Sequence, residues 1–378
     1  GSENGDKILC TFAKQLAAIN SPHQVTSRVF SDKFITLIMC SDQSAVNIME
    51  RFLDNMSAAG KAIISDCNLS IACGIYNIDS NGNFDINTAV DNVNIARKLA
   101  KENTETTCVV YESQMKKNIN RTIELVNEAR LALINREFVV YYQPKIGLKD
   151  GCLVGAEALV RWKKPDGSIV PPGDFIPYLE KNGMIVNIDF YVYEEVCRFI
   201  RRHLDENRPI VPISVNVSRV HLRDPNFLTK VYQLANKYDI PSRLLEFELT
   251  ESVFLENQSA AVNTMSDMKK YGFMVSIDDF GSGFSSLGLL KSLPVDILKI
   301  DREFFANEPL QQNDQIVISS IISMASRMNI SVICEGVETS NQVEFLKQNK
   351  CDMVQGYYYA KPICEEEFEK YAEEHIKK

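Results

Sequence analysis

The chain has 378 residues, 45% of them hydrophobic and 24% charged; this is the profile of a core-forming protein long enough for two domains, and it excludes a disordered chain. A formal charge of −9 excludes general attraction to DNA or RNA, so any nucleotide ligand has to be captured locally. No apolar stretch approaches the roughly 18–20 residues that cross a bilayer, and the ten cysteines contain no CxxC pair, so neither a zinc ribbon nor a disulfide framework is indicated.

Cysteines such as Cys40 in "FITLIMC" and Cys334 in "SVICEG" sit in apolar runs, where they read as small buried hydrophobes. That usage fits a reducing cytosol, and the protein is expected to be cytoplasmic. Gly1-Ser2 reads as a cloning remnant, which leaves room for a preceding sensor or membrane anchor.

Residues 1–115 alternate strand-like runs, "FITLIMC" and "LSIACGIYNI", with helical stretches, the pattern of a small α+β domain. A polar helix over 116–136 follows, with apolar residues at Ile119, Ile123, Val126, Leu131 and Ile134. No Gly/Pro/Ser-rich linker intervenes, so this helix is expected to be a rigid connector. From 137 to 378 the pattern becomes rhythmic: "FVVYYQPKI", "LVGAEALVRW", "IVPISVNVS", "LLEFELTES", "FMVSIDDF", "VDILKID", "SVICEGVE" and "CDMVQGYYY" alternate with amphipathic segments. Units of roughly 30 residues predict an α/β fold, a TIM-like (β/α)8 barrel. The first run leaves no room for a crossover helix before the second, which predicts an antiparallel first pair.

Nearly every one of these runs ends on a polar residue: Glu157, Asn216, Glu248, Asp278, Asp279, Lys299, Glu335 and Gln355. Barrel enzymes build their sites at the carboxyl ends of strands, so these side chains are expected around one rim. Carboxylates converging without a cation repel severely. The ligands are hard oxygens, with no histidine or cysteine among them, which points to Mg2+ or Mn2+ rather than zinc. Asp278 and Asp279 are neighbours that reach one site only where the strand is ending. Such a pair can bridge two metals, an arrangement suited to attack of water on a phosphodiester. The alternative is a set of capping and salt-bridging carboxylates scattered over loops.

Glu157, Leu159 and Arg161 share one strand face by alternation. Arg161 suits either a phosphate or purine contact beside the metals or a structural ion pair. Lys299 suits either orientation or deprotonation of the attacking water, or plain charge balance. "GSGFSSLG" lacks the spacing of a phosphate loop and reads as a turn after the aspartates. His203 and His221 read as surface residues.

The linked motifs "EALVR", "SVNVS", "ELTES", "DDFGSGFSSL", "LKID", "EGVE" and "QGYYYAKP" closely resemble those of EAL domains. That family comprises cyclic-di-GMP phosphodiesterases, which linearise the second messenger to pGpG. The resemblance implies that Glu157, Asn216, Glu248 and Asp278 hold a first Mg2+ or Mn2+, and that Asp278, Asp279 and Glu335 hold a second. It makes Lys299, Glu335, Gln355 and Glu251 catalytic: Lys299 positions the water, Gln355 assists, and Glu251 braces the loop 280–288. It assigns Gln143, Leu159, Arg161, Asp301 and Glu338 to the dinucleotide, and it implies a homodimer through the barrel. Ser282 and Phe284 stand where Thr and Tyr are commoner, a departure that tunes the loop.

The order "RVFSDKF", "LSIACGIYNI", "AVDNVNIARKLAK" resembles the second half of a GGDEF diguanylate cyclase domain. Its signature aligns with Phe30-Ser31-Asp32-Lys33-Phe34, where both glycines are replaced and Lys33 stands for the glutamate. A cation there opposes the metal a cyclase needs, so a truncated, silent remnant serving as scaffold or regulator is expected. The expected activity is therefore metal-dependent hydrolysis of cyclic-di-GMP. The alternative is a non-hydrolytic cyclic-di-GMP receptor that relays binding to a partner.

Overall fold

Short apolar runs separated by amphipathic helices dictate where strands form, and hydrogen bonding decides how they join. The structure, a computed structural model, describes residues 2–19, 23–64, 69–78, 85–102, 108–281, 290–291, 293–307 and 309–376. The chain divides into two units, residues 1–124 and 125–378.

In the first unit, helix Ser2–Ala17 leads into an antiparallel hairpin of β1 (Gln24–Phe30) and β2 (Lys33–Ile38). Its tight turn holds Ser31 in the left-handed region at φ 49°, so the degenerate signature lies at a hairpin tip. Lys33 lies with its Nζ 4.3 Å from the Phe30 ring centre. Helix Asp42–Ile63 follows, and β3 (Cys73–Ile75) and β4 (Cys108–Val110) pair in parallel around helix Ile86–Glu102. Leu16, Met49, Phe52, Leu53 and Met56 form the small core. Cys40, expected to be buried, is exposed. A two-stranded hairpin covers only one of its faces, and Leu37 and Met39 beside it are exposed as well.

The second unit is a closed barrel of eight strands: β5 (Phe138–Gly147), β6 (Leu153–Lys163), β8 (Ile213–Asn216), β9 (Leu245–Thr250), β10 (Met274–Phe280), β11 (Ile297–Ile300), β12 (Ser331–Cys334) and β13 (Met353–Val354). A two-residue strand, β7 (Ile169–Val170), pairs with β6 outside the ring; it is too short to show any periodicity in sequence. From β6 to β13 all barrel neighbours are parallel, and β5 is antiparallel both to β6 and to β13. The short turn between β5 and β6 cannot hold a crossover helix, so β5 must reverse.

Closure is completed after β13. Tyr142 and Ile363 exchange both main-chain hydrogen bonds, at 2.8 and 3.0 Å. The Tyr142 ring stacks at 4.7 Å on Phe199 and at 5.1 Å on Phe368 of the last helix, Glu365–His375.

Two expectations about surfaces are corrected here. His203 and His221 are buried, not exposed. His203 lies one turn after Phe199, with its Nδ1 3.0 Å from that residue's carbonyl, and His221 Nε2 lies 2.8 Å from Asp189 Oδ2; one polar partner each lets an imidazole sit in a core. The polar helix runs from Ser113 to Ile134, but Ile123, Leu131 and Ile134 are exposed. Its buried face is Leu125, Val126, Ala129 and Ala132, because alanines allow close packing that large residues do not.

Phe368→Ala should destabilise the barrel by about 3–4 kcal/mol, read from urea unfolding. A loss below about 1 kcal/mol would mean that the last helix does not clamp β5.

Candidate active site

Strand alternation turns every second side chain into the barrel, and the parallel register sets their heights. Gln143 of β5 pairs across from Glu157 of β6, and Asn216 of β8 from Glu248 of β9. At this level the side chains meet. Asn216 Nδ2 donates to Glu157 Oε1 at 3.0 Å, and Gln355 Nε2 donates to Glu157 Oε2 at 2.6 Å and to Gln143 Oε1 at 3.1 Å.

Lys299 of β11 stands at the centre, fully buried. Its ammonium lies 2.5 Å from Glu248 Oε2, 2.7 Å from Glu335 Oε1, 3.0 Å from Asp278 Oδ1 and 3.5 Å from Glu157 Oε2. Burial opposes its charge, yet Asp278, Glu157, Glu248 and Glu335 hold its proton well above the ordinary lysine range. In this geometry the ammonium is a hydrogen-bond donor to the surrounding carboxylates.

One ammonium cannot neutralise four carboxylates. Burial pushes the carboxyls of Glu157 and Asp278 upward and that of Glu335 far upward, with neighbouring carboxylates adding to the effect. Glu248 goes the other way: burial opposes ionisation, but Lys145 and Lys299 pull its pKa down to about 2. Asp279 is raised by burial and then by Asp301 beside it.

Backbone geometry brings the adjacent aspartates together. β10 does not end at Asp278 but continues to Phe280, with Asp279 at φ 55° and a register shift against β11 between Ile277 and Phe280. This left-handed residue turns the second carboxylate toward the side already occupied by the first. The Asp279 amide donates to Asp278 Oδ1 at 3.0 Å. Glu251 supports the same place: its amide donates to the Asp278 carbonyl and its Oε2 accepts from the Gly281 amide, both at 3.0 Å. Residues 282–289 of the expected turn lie outside the described residues. On the opposite wall, a Cβ at Gly356 would sit 2.1 Å from the Val337 carbonyl; only glycine lets the segments after Glu335 and Gln355 approach so closely.

Two groups of carboxylates place oxygens within 4.8 Å of one another: Glu157, Glu248 and Asp278, and Asp278, Asp279 and Glu335. Asp278 belongs to both. The donors are oxygens, and the buried ion-pair system of Glu157, Glu246, Glu248, Asp278 and Glu335 with Lys145 and Lys299 leaves a formal excess of three negative charges. This donor set fits hard divalent cations such as Mg2+ or Mn2+.

The residues expected at the dinucleotide are spread more widely. Gln143 is buried in the network and also donates to the Ala360 carbonyl at 3.2 Å. Leu159 and Arg161 follow Glu157 up the strand, half-buried; Arg161 lies 5.7 Å over the Tyr141 ring and donates to the Val160 carbonyl. Asp301 accepts from the Glu303 amide at 2.7 Å, capping a 3-10 turn. Glu338 is exposed, outside the ion-pair network. Sequence reasoning missed Lys145 and Glu246, which are buried beneath Glu248. Alternation could have found them, since Lys145 shares a strand face with Gln143 and Glu246 shares one with Glu248.

Fold and rim define an eight-stranded α/β barrel with an acidic cluster at the carboxyl ends of its strands. Residues 126–362 match the EAL domain family, and residues 1–107 match the family described as diguanylate cyclase, GGDEF domain. The chain belongs to the EAL domain family and carries an N-terminal GGDEF-family region. It is similar to the bifunctional diguanylate cyclase/cyclic di-GMP phosphodiesterase MucR of Pseudomonas aeruginosa, at 30% identity over 368 residues, 97% of this chain and 54% of MucR. It is also similar to the cyclic di-GMP phosphodiesterase PdeR of Escherichia coli, at 30% identity over 375 residues, 99% of this chain and 56% of PdeR. The chain thus spans about half the length of the curated relatives it matches. Among solved structures, the PaMucR phosphodiesterase in complex with c-di-GMP is 35% identical with a TM-score of 0.62, covering 65% of this chain and 99% of that one.

Glu157, Asp278 and Glu335 have raised folded-state pKa values, so their stabilising contribution is present below the ordinary carboxylate range and lost as pH rises from there through their raised folded-state values. The contribution of Glu248 has the opposite sign and is lost only as pH falls toward about 2. The melting temperature of the metal-free protein should therefore fall as pH rises above the ordinary carboxylate range, and saturating Mn2+ should flatten that slope. Identical slopes with and without Mn2+ would contradict this coupling.

Proposed function

We propose that the chain is a cyclic-di-GMP phosphodiesterase that opens the cyclic dinucleotide to linear pGpG with two divalent cations, Mg2+ or Mn2+. The observation that carries this reading is the pair of carboxylate groups that share Asp278 and surround Lys299. Family membership and the phosphodiesterase names of the similar proteins support the same substrate class.

In this reading Glu157, Asn216, Glu248 and Asp278 would hold one cation, and Asp278, Asp279 and Glu335 the other. Such ions supply Lewis-acid polarisation of a phosphate oxygen and an acidified water. The remaining chemistry belongs to the side chains. Lys299 orients the attacking water by hydrogen bonding and balances the charge that develops on phosphorus oxygens. Gln355 fixes the Glu157 carboxylate through its Nε2 and so sets the plane in which that ligand acts. Glu251 holds the Gly281 end of the loop that follows the aspartates. Arg161, Gln143 and Leu159 lie along the wall where a phosphate and a purine would rest, and Asp301 and Glu338 lie on the adjoining segments after β11 and β12. Water adds to one phosphorus as the bond to the 3′ oxygen breaks, and that oxygen leaves with a proton. The N-terminal unit, with Lys33 at the hairpin where the signature glutamate would stand, is read as a non-catalytic regulator or scaffold.

Incubating the protein with cyclic-di-GMP and Mg2+ or Mn2+ should yield pGpG. Glu157→Gln and Asp278→Asn should each lower kcat by roughly a thousandfold while the fold survives by circular dichroism. Tight binding of cyclic-di-GMP by the wild type with no product would replace the enzyme by a receptor. Native turnover in Glu157→Gln would refute the assigned roles.

A further inference from the structure

A line of alternating charge runs along the barrel interior beneath the rim. Glu246 Oε1 accepts from Lys145 Nζ at 3.0 Å, and the same ammonium donates to Glu248 Oε1 at 2.9 Å. The other oxygen of Glu248 is taken by Lys299. Glu248 is thereby gripped from two sides by two ammonium groups, each on a different strand, and the plane of its carboxylate is set. All four side chains are buried.

The barrel wall is shaped for Lys145. Its strand partner is Gly155, where a Cβ would lie 3.3 Å from the Lys145 Cδ and 3.4 Å from the Pro212 carbonyl. A side chain at 155 would crowd the lysine stem. Below, Lys145 and Glu246 line a cavity of about 390 Å³ at the amino ends of the strands. Lys145 therefore leaves open space on one side while reaching toward Glu248 on the other, which is poor packing for a residue whose task is to fill the core.

We infer that Lys145, anchored by Glu246, is a positioning residue that fixes the Glu248 carboxylate for a divalent cation held with Glu157 and Asp278. The inference rests on the metal-dependent reading above and extends it to a layer that does not touch the reacting atoms. An outer partner that orients a metal ligand is worth about tenfold to a hundredfold in metal affinity.

The test is Mn2+ titration by calorimetry on the whole chain. The double variant Lys145→Met/Glu246→Gln removes one positive and one negative charge, so the net charge beneath Glu248 is unchanged while its orienting hydrogen bond is lost. Mn2+ affinity should fall by about tenfold or more, with the KM for cyclic-di-GMP little altered and kcat reduced. A folded double variant that binds Mn2+ within about twofold of the wild type overturns the inference, because charge balance alone would then account for Lys145. Should the double variant not fold by circular dichroism, Gly155→Ala decides. It keeps every charge and presses on the lysine stem at 3.3 Å and on the Pro212 carbonyl at 3.4 Å, and about a threefold loss of Mn2+ affinity with the fold and melting temperature retained is expected against none if Lys145 has no positioning role. A wild type that binds no Mn2+ would instead sink the metal-dependent reading itself.

Discussion

The ammonium of Lys299 is the contact on which the rest of the rim depends. It sits within 3.5 Å of Glu157, Glu248, Asp278 and Glu335. Without it, three buried carboxylates and the half-buried Glu335 would face one another in a low-dielectric interior, an arrangement that survives only by taking up protons. A buried ion-pair network of this kind is weak evidence for stability, since desolvation offsets most of the attraction. It is better understood as a site kept electron-rich at the expense of the fold. The surrounding barrel, with its tightly packed helices and strands, supplies the stability that the rim does not.

Two backbone features make that cluster possible. β5 runs against both its neighbours, which sets Gln143 and Lys145 on a strand facing Glu157 and Gly155. The left-handed turn at Asp279 aims two consecutive side chains toward one place. The first feature follows from connection length. The second is local strain of the kind that persists where the surrounding structure holds it, here through Glu251 and the Asp278 carboxylate.

Much of the fold was legible in the chain itself. Eight apolar runs at regular intervals gave the barrel, and the absence of a crossover gave the reversed strand. The rim residues were legible because each closes an apolar run. The failures share a cause: they concern which surface ends up covered. His203 and His221 are polar letters in the sequence, but single partners make them core residues. Cys40 closes an apolar run two residues past the hairpin strand Lys33–Ile38 and is exposed. Two-residue strands such as β7 carry no period at all.

Residue order by itself determined the elements, their spacing, the oxygen-only chemistry of the strand ends and the family to which the motifs belong, because those properties are local and periodic. Only the tertiary structure decided that Lys299 stands among four carboxylates, that Asp278 is shared between two groups, and that Lys145 reaches Glu248 from strands apart. These are distances between side chains far separated in sequence, set by register and barrel closure. No local pattern encodes them, and electrostatic energy depends on them directly.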